Sequence, residues 1–129
     1  MAIDKVKYWT ELADYDIETA DAMYQTKRWL YVGFMCHQVI EKMLKAYWVT
    51  TQTSNPPYTH SLVKLATESG LRNKLNEQQR LFLSFMMPMN IEARYPEYKE
   101  SLLKQLTPEV CQDIINKTKD LQQWIKTKL

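Results

Sequence analysis

The sequence predicts an all-α protein, and two features carry this prediction. Apolar side chains recur at helical spacing along most of the chain. The 129 residues include only two glycines, Gly33 and Gly70, whereas sheets joined by tight turns usually need more. At this length we expect a single domain over residues 1–129, large enough to fold without a metal or a disulfide.

The composition excludes several classes of function. Basic and acidic side chains number 17 and 15, so the net charge of +2 gives no strong attraction to nucleic acid or to a membrane surface. No window approaches the ~20 apolar residues of a membrane span, and the charged N-terminus is unlike a signal peptide. We therefore expect a cytoplasmic protein with reduced, buried thiols at Cys36 and Cys111. The chain has no zinc ligand set and no phosphate-binding glycine loop, so no cofactor is expected.

The first helix is predicted from Asp4 to about Lys27. Its apolar residues recur at helical spacing: Trp9, Leu12, Ala13, Ala20 and Met23. The acidic residues of its other side, Asp14, Glu18 and Asp21, are expected to face solvent. Asp16 lies on or beside the apolar stripe, so it requires a partner, and a structural hydrogen bond is the simplest one.

The second helix, Leu30 to Thr51, is predicted to be the centre of the fold because it is apolar on two sides. One broad stripe resembles core: Val32, Met35, Cys36, Val39, Met43, Ala46 and Tyr47. Roughly opposite lie Leu30, Phe34 and Trp48. Between these three stand four polar residues: His37, Gln38, Glu41 and Lys45. A polar cluster framed by large apolar side chains is expected to meet another helix, a second copy of the chain, or a ligand.

The spacing of this polar cluster allows acid–base chemistry without requiring it. His37 and Glu41 are four residues apart, as are Glu41 and Lys45, so each pair can meet on one helix face. An imidazole beside a carboxylate is the beginning of an acid–base pair. No nucleophile stands at a helical spacing that completes the set, and a structural histidine is the simpler interpretation.

Short elements are predicted between residues 52 and 89. Residues 52–58 form a connector that the paired prolines keep extended. Thr59 or Ser61 caps a short helix that ends at Gly70, with His60 at its start as a cap or a surface hydrogen-bonding group. Asn76 begins a fourth helix through a capping-box pattern, and Pro88 kinks or ends it. Its apolar stripe is Phe82, Phe85, Met86 and Met89.

The least regular stretch is predicted over residues 90–106, with a short helical turn only at 101–105. It contains Arg94 and Tyr95, which precede Pro96. An arginine suits a carboxylate or a phosphate, although here it could simply tie the loop to Asp16 or Glu41. The last helix is predicted to begin at Thr107, because this residue can cap it and a proline follows at its first position.

Three motifs together resemble the HEPN domain of bacteria and archaea: HQVIEKMLKAYW, then YTHSLVKL, then EARYPEY, in that order and spacing. The resemblance covers nearly the whole chain. It implies an antiparallel up-and-down bundle of four to five helices, often a dimer, with a polar site between the long helices. It also implies a small nucleotidyltransferase as partner, in pairs that resemble toxin–antitoxin modules.

Some HEPN proteins are metal-independent ribonucleases. They carry an arginine and, after four to six intervening residues, a histidine. This chain departs from that pattern, because no arginine is followed by a histidine at the required spacing. After Arg94 the corresponding positions hold Lys99, Glu100 and Ser101. Only His37 or His60, brought to Arg94 by the fold, could substitute.

Three hypotheses follow. The first is a non-catalytic module that binds a nucleotide-like anion, RNA or a partner protein through His37, Gln38, Glu41, Lys45, His60, Arg94 and Tyr95, with Tyr95 or Trp48 stacking on a base. The second is a ribonuclease with a rearranged site. The third is a purely structural homodimer whose interface contains Phe34 and Trp48.

Overall fold

The structure, a computed structural model, describes residues 4–91 and 95–129. Over these two ranges it contains six α-helices and no strand. The helices are α1 (Lys5–Gln25), α2 (Trp29–Thr51), α3 (Leu62–Glu68), α4 (Glu77–Met86), α5 (Pro96–Gln105) and α6 (Pro108–Lys126), with 3-10 turns at Leu71–Lys74 and Met87–Met89. The predicted all-α bundle is confirmed.

Side-chain caps fix where four of the six described helices begin, and the sequence predicted those of α3, α4 and α6. The Asp4 carboxylate accepts a hydrogen bond from the backbone N–H of Lys7 at the start of α1. Asn76 and Gln79 form a reciprocal capping box at α4. Thr107 caps α6, with Pro108 at its first position. Of the two candidate caps of α3, Ser61 is the one used.

The long helix α1 runs antiparallel to both α2 and α6. Lys42 of α2 pairs with Asp16, which is the partner that this acidic residue required. Between α6 and α1, Lys119 pairs with Asp21 at 3.2 Å and Lys126 pairs with Asp14 at 2.9 Å. Asp14 and Asp21 are about half exposed, in keeping with the expected solvated face, and two lysines of α6 also reach them.

The helix α2 is the centre of the bundle. Twelve of its 23 residues are buried, and α1, α3, α5 and α6 all pack on it. It runs parallel to α6, since the Cys111 thiol at the start of α6 donates to the carbonyl of Trp29 at the start of α2, 3.8 Å away. The chain returns from the end of α2 to the start of α6 through the three short helices.

The second apolar face of α2 is covered in part by the chain itself. Trp48 is buried, and its indole N–H donates to the carbonyl of Ser54 in the connector at 3.1 Å. Leu30 and Phe34 are partly buried against the same core. Trp48 is thus not available as an intermolecular contact, nor as a stacking platform for a base.

Two further expectations differ from the structure. Residues 96–105 form a ten-residue helix instead of a short turn, because Pro96 stands at the first helical position, where a proline is tolerated. Phe85, which was expected in the core stripe of α4, is 47% exposed because no described element covers it. No described helix is long and apolar enough to cross a membrane.

Candidate functional site

A buried carboxylate, that of Glu41, organises the polar cluster on α2. Its side chain is only 4% exposed, and each oxygen has a cationic or imidazole partner. Oε2 accepts a hydrogen bond from Lys45 Nζ at 3.0 Å, one helical turn along α2. Oε1 lies 3.0 Å from Nδ1 of His60, which comes from the connector before α3. The carboxylate therefore holds Lys45 and His60 side by side.

His60 is held in place by the turn that starts α3. The backbone N–H of Ser61 donates to Thr59 Oγ1 at 3.1 Å, and the Ser61 hydroxyl accepts from the N–H of Lys64 at 3.1 Å. These bonds fix the backbone on the C-terminal side of His60. Its side chain is 52% exposed. With Nδ1 directed at Glu41, the other ring nitrogen, Nε2, is the one left for a ligand or a proton.

Lys45 joins the cluster to the first turns of α1. Its ammonium lies 5.2 Å from the centre of the Trp9 ring, a cation–π distance, and its side chain is only 14% exposed. A lysine with a buried carboxylate on one side and an indole on the other has few conformations open to it. Sequence reasoning placed Trp9 in the core stripe of α1 and missed this contact.

His37 lies beneath the cluster and is fully buried. Its Nδ1 is 3.8 Å from Glu41 Oε1, and neither ring nitrogen makes a hydrogen bond of normal geometry with a described residue. Burial lowers the pKa of His37 from 6.5 to about 4, with His60 and Lys45 acting in the same direction and Glu41 and the His60 backbone opposing it. His37 is therefore neutral at pH 7 and cannot itself touch a ligand.

The remaining predicted site residues are not joined to this cluster by any described bond. Gln38 is half-buried on α2. Tyr95 is 81% exposed at the start of α5, where its carbonyl accepts the N–H groups of Tyr98 and Lys99. Arg94 lies outside the described residues, so its predicted contact with a phosphate, Asp16 or Glu41 stays a prediction.

The chemistry of the cluster is that of a carboxylate–imidazole pair beside a cation. When Glu41 is ionised, Nδ1 of neutral His60 carries the proton, and the free lone pair of the ring is then on Nε2. Such a nitrogen can accept a proton or, once protonated, bind an anion together with Lys45. With His60 neutral, the charges of Lys45 and Glu41 cancel.

Metal binding and nucleophilic catalysis by cysteine both find little support among the described residues. No group of three or more histidine, cysteine or acidic residues is placed to hold a metal ion. Cys36 and Cys111 are both free and buried, and burial raises the pKa of the first thiol to about 12 and of the second to about 11. Both are therefore poor nucleophiles.

Comparison with known proteins identifies the family. The model of the HEPN domain matches residues 6–128, from the first turn of α1 to just beyond the end of α6. Searches of curated proteins and of solved structures found no match. The motifs HQVIEKMLKAYW and YTHSLVKL, which carry the family resemblance, are also the segments that supply Glu41, Lys45 and His60. Because the match covers nearly the whole length, this chain belongs to the HEPN domain family.

Proposed function

We propose that this HEPN protein is a non-catalytic binding module whose ligand is a phosphate-bearing nucleotide or RNA end, held by Lys45 and His60. The observation that carries the proposal is the Glu41 carboxylate, which is buried and bonded to both side chains at 3.0 Å. A carboxylate in this position sets the direction of two phosphate-binding groups before the ligand arrives, which lowers the entropy lost on binding.

The charge balance of the site gives His60 its role in the proposal. Because Glu41 neutralises Lys45, a phosphate gains most from an imidazolium at His60. Arg94, if it turns toward the cluster, would add a second permanent cation.

Calorimetry tests this proposal. ATP, GTP and a short RNA with a terminal phosphate are titrated into the protein. We expect heat from at least one of them. Lys45→Met and His60→Asn should each weaken binding by at least about tenfold, and Arg94→Ala should weaken it as well.

The matched control is Lys64→Met, because Lys64 is an exposed lysine one turn into α3 with its own carboxylate partner, Glu68, at 3.9 Å. It removes the same charge near His60 without touching Glu41. If no phosphate ligand gives heat, or if Lys64→Met weakens binding as much as Lys45→Met, the site is not the one proposed.

The biological setting that we propose is a cytoplasmic, toxin–antitoxin-like pair with a small nucleotidyltransferase. Its support is family membership together with two reduced thiols, which are typical of the cytosol. A purified small nucleotidyltransferase should bind the HEPN protein in the same calorimeter. If the His60→Asn variant binds the nucleotidyltransferase with the same heat as wild type, that partner occupies another surface. The ligand proposal is then unaffected.

A second candidate function is a metal-independent ribonuclease with a rearranged site. The distance of 3.0 Å between His60 Nδ1 and Glu41 Oε1 favours it, because a buried carboxylate that orients an imidazole is a general-base arrangement. RNA cleavage in the presence of a chelator distinguishes the two functions. A ribonuclease loses cleavage in both His60→Ala and Arg94→Ala, whereas equal residual cleavage in wild type and both variants contradicts this candidate.

A further inference from the structure

The imidazole of His37 has no role in the proposed function, although it lies directly under the site. It is fully buried, and neither ring nitrogen makes a hydrogen bond of normal geometry with a described residue. A buried polar group without a partner lowers stability, so its presence needs a physical reason. His37 stands one helical turn before Glu41 on α2, and its ring faces the carboxylate that binds His60.

Both histidines of the chain approach the same oxygen of Glu41. Nδ1 of His60 lies 3.0 Å from Oε1, which is a hydrogen-bond distance, and Nδ1 of His37 lies 3.8 Å from the same atom. The longer distance is roughly 0.6 Å beyond the usual limit of a hydrogen bond, and a small rotation of either side chain removes that difference. One donor is therefore engaged, and the second is held close to the same acceptor.

The three side chains differ in their freedom to move. The side chain of His60 is half-exposed and can rotate into solvent, whereas those of Glu41 and His37 are enclosed on α2. When His60 turns outward, Oε1 of the buried carboxylate loses its donor, and a buried charge without its hydrogen bond is costly. His37 is already placed to supply the missing bond.

The proton that this exchange needs is present in the buried ring. Burial keeps His37 neutral at pH 7, so the ring carries one proton, on Nδ1 or on Nε2. The Glu41 carboxylate faces Nδ1 and favours the proton on that nitrogen. The carboxylate can therefore change its donor by side-chain rotation alone, and no proton enters or leaves the site.

We propose that His37 is a positioning residue, a reserve donor that takes over Oε1 of Glu41 when His60 turns toward the surface. The carboxylate then stays ionised and fixed, and its Oε2 continues to hold Lys45 at 3.0 Å. His60 is thereby free to move with a bound group while Lys45 keeps its place. The value of this exchange for phosphate binding rests on the proposed function, whereas the exchange itself can be tested without a ligand.

Urea unfolding at pH 7.5 tests whether the two histidines substitute for each other. The variants are His60→Leu, His37→Leu and the double variant, because leucine cannot donate but keeps an apolar side chain beside the carboxylate. With His37 present, His60→Leu should raise the unfolding equilibrium constant by less than about threefold. In the His37→Leu background the same change should raise it by at least about tenfold, because Oε1 then has no donor.

The matched control is Lys45→Met, measured in the same two backgrounds. Lys45 binds Oε2 of Glu41, whereas His37 faces Oε1. The increase in the unfolding equilibrium constant caused by Lys45→Met should therefore be the same, within about twofold, whether or not His37 is present. This control separates the loss of one specific donor from a general weakening of the core by His37→Leu.

Nitrogen-15 NMR of the His60→Leu protein gives a second result that does not require the double variant to fold. His37 is then the only histidine of the chain. We expect its proton on Nδ1, at lower field than in wild type, because the hydrogen bond to Oε1 has formed.

Equal effects of His60→Leu in the two backgrounds overturn the proposal, as does a His37 that carries its proton on Nε2 in the His60→Leu protein. A larger effect in the His37→Leu background, together with an unchanged effect of Lys45→Met, supports it. If these effects differ as expected but no phosphate ligand gives heat in the calorimeter, the proposed function fails and the reserve donor remains.

Discussion

Nδ1 of His60 and Oε1 of Glu41 lie 3.0 Å apart, although nineteen residues separate them in the chain. The contact crosses from the half-exposed end of the connector to the buried middle of α2. It makes one carboxylate the common partner of an imidazole and an ammonium that reach the surface from different elements. The proposed ligand chemistry of this region depends on that single buried charge.

The first prediction concerns the strength of the Glu41–Lys45 pair. Both side chains are at least 86% buried, so the pair is weakly screened by solvent. A double-mutant cycle with Glu41→Gln and Lys45→Met should give a coupling of about 1–2 kcal/mol in urea unfolding. The half-exposed Lys64–Glu68 pair, also one helical turn apart, should give less than about 0.5 kcal/mol. Equal couplings would mean that burial does not strengthen the pair.

The second prediction concerns acid stability and rests on His37. Its pKa in the folded protein is about 4, below the ordinary 6.5, so the unfolded chain binds the proton more readily. The contribution of neutral His37 is therefore complete above pH 6.5 and is lost as the pH falls toward 4. At pH 5 we expect the unfolding free energy to have fallen by about 2 kcal/mol through this residue.

The measurement is urea unfolding at pH 7.5 and pH 5 for wild type and His37→Leu. The carboxylates titrate in both proteins, so only the difference between their pH dependences reports His37. Glu41, Lys45 and His60 are the charged or titratable groups around it, and all three remain in the variant. A His37→Leu protein that loses as much stability as wild type between the two pH values contradicts the prediction.

Much of the fold could be predicted because its signals are local. A helix start needs only a cap and the residues of the first turn, so Asn76 with Gln79, and Thr107 with Pro108, were recognisable in the sequence. The full length of α5 was not recognisable in the sequence. Leu102 is its single buried residue, so the helix has almost no periodic pattern of apolar residues. Phe85 shows the opposite error, because its periodic position predicted burial that the structure does not have. The period of an apolar residue says nothing about whether another element covers it.

The site likewise combines contacts that the sequence predicted and contacts that it did not. Glu41 and Lys45 share one helix, so their spacing predicted the pair. The arrival of His60 depends on how the connector returns to α2, and the contact of Trp9 with Lys45 depends on how α1 packs. Such contacts are properties of the tertiary structure, and no periodicity in the sequence encodes them. Asp16 lies between these cases, because its need for a partner was evident from its position but the identity of Lys42 was not.

The third prediction compares the same position at the ends of two helices. Lys27 follows the C-cap of α1 with φ 62°, and Gly70 follows the C-cap of α3 with φ 86°. Both have left-handed backbones, which glycine adopts without steric cost. Gly70→Ala should lower the unfolding free energy by about 1 kcal/mol, although a Cβ there would meet no atom within 4 Å. Lys27→Gly should raise it by about 0.5–1 kcal/mol, and thermal melts of the two variants should shift in opposite directions.

The last prediction returns to His60. Because ionised Glu41 accepts a hydrogen bond from Nδ1, neutral His60 should carry its proton on Nδ1 and leave Nε2 bare, whereas a free imidazole in water prefers the proton on Nε2. The chain has only two histidines, so nitrogen-15 NMR at about pH 8 can assign both tautomers directly. In Glu41→Met, which keeps the length of the side chain and removes the acceptor, His60 should revert to the Nε2-protonated form. The buried His37 resonances in the same spectrum report whether the variant is folded. An Nε2-protonated His60 in the wild-type protein would mean that Glu41 does not orient the imidazole, and both the phosphate-binding and the general-base functions would lose their common foundation.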